Sequence, residues 1–225
     1  MRKKKLADEV AAHAHGRVPR ELRRRQVLTE ARALFVERGY HAASMDELAR
    51  RMGVSKPVVY DLAGSKEQLF ADTMAMVGEE LAQKLTTAVL AEPDLTRRLH
   101  AGILAFLRYV GAHRAQWSAL LTSLSTNAGP ASAGLAELQR AQVLLVAQLI
   151  GRSDADTTLD PAVAEALAQA INGAVESTAL WWKDHPELSA EALADLLTDF
   201  LSPGLLALSQ RHSRSVAPPR RKGRP

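Results

Sequence analysis

The chain has 225 residues, is 47% hydrophobic but only 4% aromatic, and carries a formal charge of +4. It contains no cysteine, which excludes disulfide frameworks, thiolate chemistry and Cys-based zinc sites. The charge is strongly divided: residues 1–25 hold +6, residues 211–225 hold another +6, and the middle is acidic at −8. Basic ends on an acidic body point to a polyanion as the partner of the ends, although basic tails also serve solubility. Richness in Ala, Leu and Arg, without sustained strand-like alternation, predicts an all-α protein. No apolar run is read as long enough for a membrane span. The basic start Arg2 to Lys5 leads into no apolar h-region. The expectation is a cytoplasmic protein with no membrane contact.

Residues 1–19 read as a disordered basic arm, interrupted by Gly16 and Pro19. Its His13 and His15 offer two nitrogens and no further ligands, so no metal is expected there. Contact with phosphates or a minor groove suits the arm better. A first helix is predicted from about Arg20 to Arg38, with Val27, Ala31, Leu34 and Phe35 as its inward stripe and Gly39 as its end. Arg23, Arg24 and Arg25 precede the stripe and can approach a nucleic-acid backbone.

Residues 44–66 are the most informative stretch. Ser44 and Glu47 have the spacing of a capping box. Met45, Leu48, Ala49 and Met52 then form one apolar face, and Gly53 supplies a left-handed turn. Ser55 is expected to cap a second helix with Pro57 in its first turn. Val58 and Leu62, four apart, are expected to face inward. This is the pattern of a helix-turn-helix whose second helix enters a major groove. Ser65 caps a fourth helix to about Leu90, with Phe70, Met74, Val77, Leu81 and Leu85 on its buried face.

From Arg25 to Phe70 the chain resembles the amino-terminal domain of the TetR family of bacterial transcriptional regulators. The residues that carry the likeness are A-x-x-L-F-x-x-x-G-Y (Ala31 to Tyr40), then S-M-D-E-L-A, G-V-S-K, V-Y and G-S-K-E-Q-L-F. One departure is Ala63, where family members usually carry an aromatic residue. The resemblance implies a DNA-binding domain over 20–66 and a larger helical regulatory and dimerisation domain over 67–211. It also implies roles in DNA contact for Ser44, Tyr60 and Lys66, chiefly at phosphates, and Arg24 joins these candidates by its place before the stripe. Ser55, Lys56, Pro57 and Val59 are the candidates for base edges: Lys56 to guanine, Pro57 and Val59 to thymine methyls. Val59 has core packing as its alternative.

Beyond Pro93, helices are predicted at about 95–112, 114–126, 132–151, 160–184 and 189–210. Linkers fall at Asn127 to Pro130, Gly151 to Asp160 and Asp184 to Pro186. Ser202-Pro203-Gly204 is expected to interrupt the last helix. Asp154, Asp156, Thr158, Asp160 and Glu165 loosely mimic a calcium loop. Leu159 replaces the turn glycine and Pro161 follows, so the stretch reads as a polar linker and helix cap. Ala162, Ala166, Ala170, Gly173, Ala174 and Ser177 let another helix approach closely. Leu193, Leu196, Leu197, Phe200 and Leu201 follow on the last helix. These two helices either complete a monomer core or, as the family resemblance implies, pair with their copies in a homodimer.

The family resemblance further implies a small-molecule site. The candidate lining is Met74, Phe106, Tyr109, Trp117, Leu121, Asn172, Glu176 and Trp181, with plain core as the competing reading. Asn172 and Glu176, one turn apart on an apolar helix, need partners if buried. The tail 212–225 ends Lys222-Gly223-Arg224-Pro225, similar to the core of an AT-hook. No nucleophile–base constellation, phosphate loop or zinc spacing is present, so no enzyme and no cofactor are expected. The expected function is a homodimeric repressor, bound to a palindromic double-stranded DNA operator and released by a small-molecule effector. The alternative is a constitutive or architectural DNA-binding protein without a ligand.

Overall fold

The computed structural model describes residues 8–10, 18–113, 130–154 and 157–215. The expected helix at 114–126, the AT-hook-like tail, most of the basic arm, and the candidates Trp117 and Leu121 lie outside these residues. The described elements are helices α1 (Arg20–Ala42), α2 (Met45–Met52), α3 (Lys56–Ala63), α4 (Lys66–Leu90), α5 (Leu95–Ala112) and α6 (Pro130–Gly151). After these come strands β1 (Arg152–Asp154) and β2 (Thr157–Leu159), helices α7 (Pro161–Trp182) and α8 (Ala190–His212), and strand β3 (Ser213–Ser215). The fold is all-α apart from this small antiparallel ribbon, in order β1-β2-β3, with Thr157 opposite Ser215 and Leu159 opposite Ser213. Part of the expected linker 151–160 is thus a hairpin. Strands of three residues are too short to leave an alternation in the sequence.

The chain forms two compact units. The first takes residues 1–79 and 113–139, the second 80–112 and 140–225. In the first unit α1 breaks at Gly39, whose φ of 73° and ψ of 168° suit glycine alone, and one further turn runs to Ala42. Val27, Ala31, Leu34 and Phe35 face inward as expected. Phe35 lies edge-on to Phe70 at 5.2 Å and stacks on Tyr40 at 6.1 Å, while Tyr40 meets Phe70 at 5.0 Å. Around this trio pack Met45, Leu48, Ala49 and Met52 of α2, Val59 and Leu62 of α3, and Leu69 and Met74 of α4.

In the second unit α5 lies along α8. Arg108 reaches Glu191 at 2.9 Å and His100 reaches Asp195 at 2.9 Å. Asp160 caps α7 by accepting the Ala162 N–H at 3.0 Å, and Pro161 starts the helix. The Trp182 indole N–H donates to the Leu188 carbonyl at 2.8 Å, closing the turn before α8. Two expectations for α8 are corrected. Ser202-Pro203-Gly204 does not interrupt it: Pro203 lies on the exposed side, and Leu205 and Ser209 beyond it remain buried. One missing N–H on the solvent side costs less than losing those contacts. The stretch Ala190–Arg211, with a mean hydropathy of 1.3, is also long and apolar enough by composition to cross a membrane. A third of it is buried within the chain, and one such helix is weak evidence of a membrane span.

Candidate functional site

The first unit carries the reading head. Ser44 Oγ accepts the Glu47 N–H at 3.1 Å, which fixes the start of α2. The reciprocal half of the box is absent. The Glu47 carboxylate instead meets Arg50 at 2.8 Å and Arg51 at 3.0 Å, and the hydrogen bond from Arg51 holds it below the ordinary carboxylate range. Arg51 also binds Glu37 at 2.7 Å. Gly53, at φ 64° and ψ 32°, turns the chain back so that α3 crosses α2. Ser55 stands at the N-cap of α3, but its side chain makes no capping bond. Pro57 in the first turn presets the helical φ without it.

The inward stripe of α3 differs from the expected one. Val59 has no solvent exposure and packs with Leu62 and Ala63, whereas Val58 is 39% exposed. Val59 is therefore corrected from base-edge candidate to core residue, and Val58 takes its place outside. The spacing 59, 62, 63 places three residues on one helical face, while 58 and 62 place only two. The outer face then comprises Ser55, Lys56, Pro57, Val58, Tyr60 and Asp61, all exposed.

Its cations are already engaged. Lys56 Nζ lies 2.9 Å from Asp46 on α2, and that hydrogen bond and charge raise the lysine pKa. Arg20 grips Asp61 through its carboxylate at 2.8 Å and its carbonyl at 2.9 Å. Arg24 binds Asp72 at 2.7 Å. Lys66 is turned onto the protein. Its Nζ donates to the His41 carbonyl at 3.1 Å and stands 4.7 Å from the Tyr40 ring centre. Burial there lowers its pKa. Lys66 thus clasps the end of α1 to the start of α4, and two of its three N–H donors remain for the expected phosphate. A half-buried ammonium is steadied by a carbonyl and a ring face. Neither Asp46 nor Asp61 stands out in the sequence, because pairing between separate helices leaves no fixed spacing.

The second unit holds a cavity with almost wholly apolar walls. It leaves about 60 Å³ in which the centre of a water-sized sphere can move, within about 570 Å³ of empty space that includes its open mouth. Phe106 and Asn172 line it as expected. Among the described residues, the other expected lining residues do not. Met74 belongs to the core of the first unit. Tyr109 is buried away from the cavity, and Glu176 does not line it. Trp181 is exposed and stacks on His185 at 3.7 Å, because the adjacent Trp182 is the one turned inward. The residues missed are aliphatic, such as Leu99, Ile103, Val146 and Val175. Periodicity marks them as inward but cannot tell cavity from core.

A three-helix head, with a tight glycine turn and an outward second helix, defines a helix-turn-helix DNA-binding regulator. Residues 27–73 match the model of bacterial regulatory proteins of the tetR family, and residues 95–204 match a tetracyclin repressor-like C-terminal domain. A TetR-like transcriptional regulator from Rhodococcus sp. RHA1 is 30% identical with a TM-score of 0.61, over 84% of this chain and 99% of that one. A tetR-family regulator from Streptomyces coelicolor is 25% identical with a TM-score of 0.64, over 85% and 83% of the two chains. The transcriptional activator FasR of Mycolicibacterium smegmatis is 42% identical over 94 residues, which span 42% of this chain and 43% of FasR. The chain belongs to the TetR family of transcriptional regulators.

Proposed function

We propose that the protein is a homodimeric, ligand-responsive repressor, with residues 20–66 as the reading head and 67–211 as the regulatory and dimerisation body. The observation that carries the ligand-responsive reading is the cavity, with a buried amide, Asn172, on an otherwise apolar wall. A constitutive or architectural DNA binder has no use for such a site. Dimerisation is supported by an uncovered face of the second unit. Leu196 and Phe200 of α8 are 64% and 75% exposed, and Ala162, Ala166, Ala170, Gly173 and Ser177 of α7 are exposed as well. Small residues on one helix and large apolar ones on its neighbour suit close packing across a two-fold. Two heads then read the two halves of a palindromic double-stranded operator.

On the reading head, Ser55, Lys56, Pro57 and Val58 take the base-edge role, and Ser44, Tyr60, Lys66 and Arg24 take phosphates. The protein acts in the cytoplasm, needs no cofactor and catalyses no reaction. The likeness to FasR, an activator by name, favours a second reading in which the same binding event activates. The sign then depends on where the operator lies relative to the promoter.

The test is selection of bound sequences from a random DNA pool by the purified chain, repeated with candidate metabolites. A palindromic consensus whose binding a metabolite weakens is the expected result. Selection of no consensus refutes the regulator. A consensus that no metabolite affects returns the reading to a constitutive binder. Light scattering of Phe200→Glu tests the dimer: the variant should be monomeric, and an unchanged mass refutes the proposed interface.

A further inference from the structure

Asn172 is 7% exposed, and its Nδ2 is fully buried without a hydrogen-bond partner. It is the one such side-chain atom among the described residues. A buried amide donor left without an acceptor keeps the full cost of its desolvation, so its natural complement is an acceptor brought in from outside. The surrounding wall sets the rest of that ligand's chemistry. Leu99, Ile103, Phe106 and Val175 are buried hydrocarbon, and Gln142 is the other buried polar residue of the lining. The single charged lining residue, Arg98, is half-buried, and its Nε donates to the Glu92 carbonyl at 2.9 Å. A carboxylate or phosphate placed beside Asn172 would therefore enter an apolar wall without a buried cation, which is costly. The space itself is several times the ~10–15 Å³ that one water requires.

We infer that the cavity takes an uncharged, mostly hydrocarbon ligand with one carbonyl-type acceptor, which receives the Asn172 Nδ2 hydrogen bond. This rests on the ligand-responsive reading and narrows its effector to a chemical class. Ketones, esters and thioesters with an alkyl or aryl body belong to it. Free acids and plain hydrocarbons bind less well. The acids lose on desolvation, and the hydrocarbons leave the amide unmet.

The experiment uses the purified full chain and three probes of similar shape: butyrophenone, butylbenzene and 4-phenylbutanoate. Calorimetric titration is expected to rank the ketone about tenfold or more above the hydrocarbon, as one hydrogen bond to an unmet donor implies. The acid should bind no better than the hydrocarbon. In Asn172→Leu, branched alike and without the donor, the ketone and the hydrocarbon should bind alike, and Asn172→Ala should show the same levelling. Any of three results with the wild-type chain overturns the inference: no binding of any probe, no preference for the ketone, or tighter binding of the acid. A ketone preference that survives both substitutions also overturns it. Should one variant fail to fold, the wild-type ranking and the other variant still decide. Repeating the titration on selected operator DNA separates the two readings. Ketone binding that leaves DNA affinity unchanged sinks the effector role and keeps the ligand class. Release by an acidic metabolite, with the ketone inert, does the reverse.

Discussion

Replacing Val59 with alanine removes two methyl groups from a site with no solvent exposure. Transfer alone is worth about 0.8 kcal/mol for each methyl, and the hole left behind brings the loss to about 2–3 kcal/mol. Alanine returns roughly 0.5 kcal/mol through helix propensity. The net loss is about 1.5–2.5 kcal/mol, following those same terms. Val58 is 39% exposed, so the same truncation opens no enclosed hole. Its smaller transfer loss is largely offset by propensity, leaving a change within about 0.5 kcal/mol. Urea unfolding, followed by circular dichroism at one fixed protein concentration, measures both. Val59→Ala should lower the midpoint with an unchanged slope, and Val58→Ala should track the wild type. In DNA selection the order should invert, Val58→Ala altering the preferred sequence and Val59→Ala keeping it. Equal losses of stability, or a larger loss at Val58, would refute the rotational setting of α3 and with it the outer face.

Gly53→Ala meets open space, so its cost is the left-handed backbone alone, about 1–2 kcal/mol, readable in the same urea titration. Ser44→Ala removes the α2 cap and should lose about 1 kcal/mol of stability; DNA affinity of the folded variant, measured by anisotropy, should fall as well. Lys56→Ala should change which sequence is selected, whereas Tyr60→Ala should weaken binding to all sequences alike. Glu67 accepts hydrogen bonds from its own backbone N–H, from Ser65 and from Tyr40, and these hold its pKa below 4.5. A depressed carboxylate adds stability above its unfolded value and loses it as pH falls toward its folded one. Glu67→Gln should therefore lose less stability than the wild type as pH falls below 4.5, measured as melting temperature against pH.

What could be read beforehand follows from how local each signal is. The Ser44–Glu47 spacing, Gly53 and the Asp160-Pro161 helix start are encoded within a few residues, and each stands where the spacing put it. The setting of α3 is ambiguous in the sequence because Pro57, Val58, Val59, Leu62 and Ala63 offer two inward stripes. Only the neighbours on α1 and α2 choose between them. Pro203 stays inside α8 because one lost hydrogen bond weighs less than the buried contacts of Leu205 and Ser209 further on. The cavity lining was hardest. Leu99, Ile103 and Val175 have the same periodicity whether they meet a neighbour or a void, and only Phe106 and Asn172 were named in advance. Asn172 stood out because an amide on an apolar helix is expensive wherever it is buried.

The ion pairs on the head have a consequence for how a duplex is gripped. Lys56, Arg20 and Arg24 each hold an aspartate of the same unit. On the proposed reading, a duplex must compete for Lys56 at base edges and for Arg24 at the backbone against carboxylates of the protein itself. Each exchanged cation liberates a carboxylate beside the strand instead of adding a fresh attraction. A plot of log affinity against log salt should accordingly be shallower than a census of the basic side chains forecasts. Removing Asp46 should steepen it.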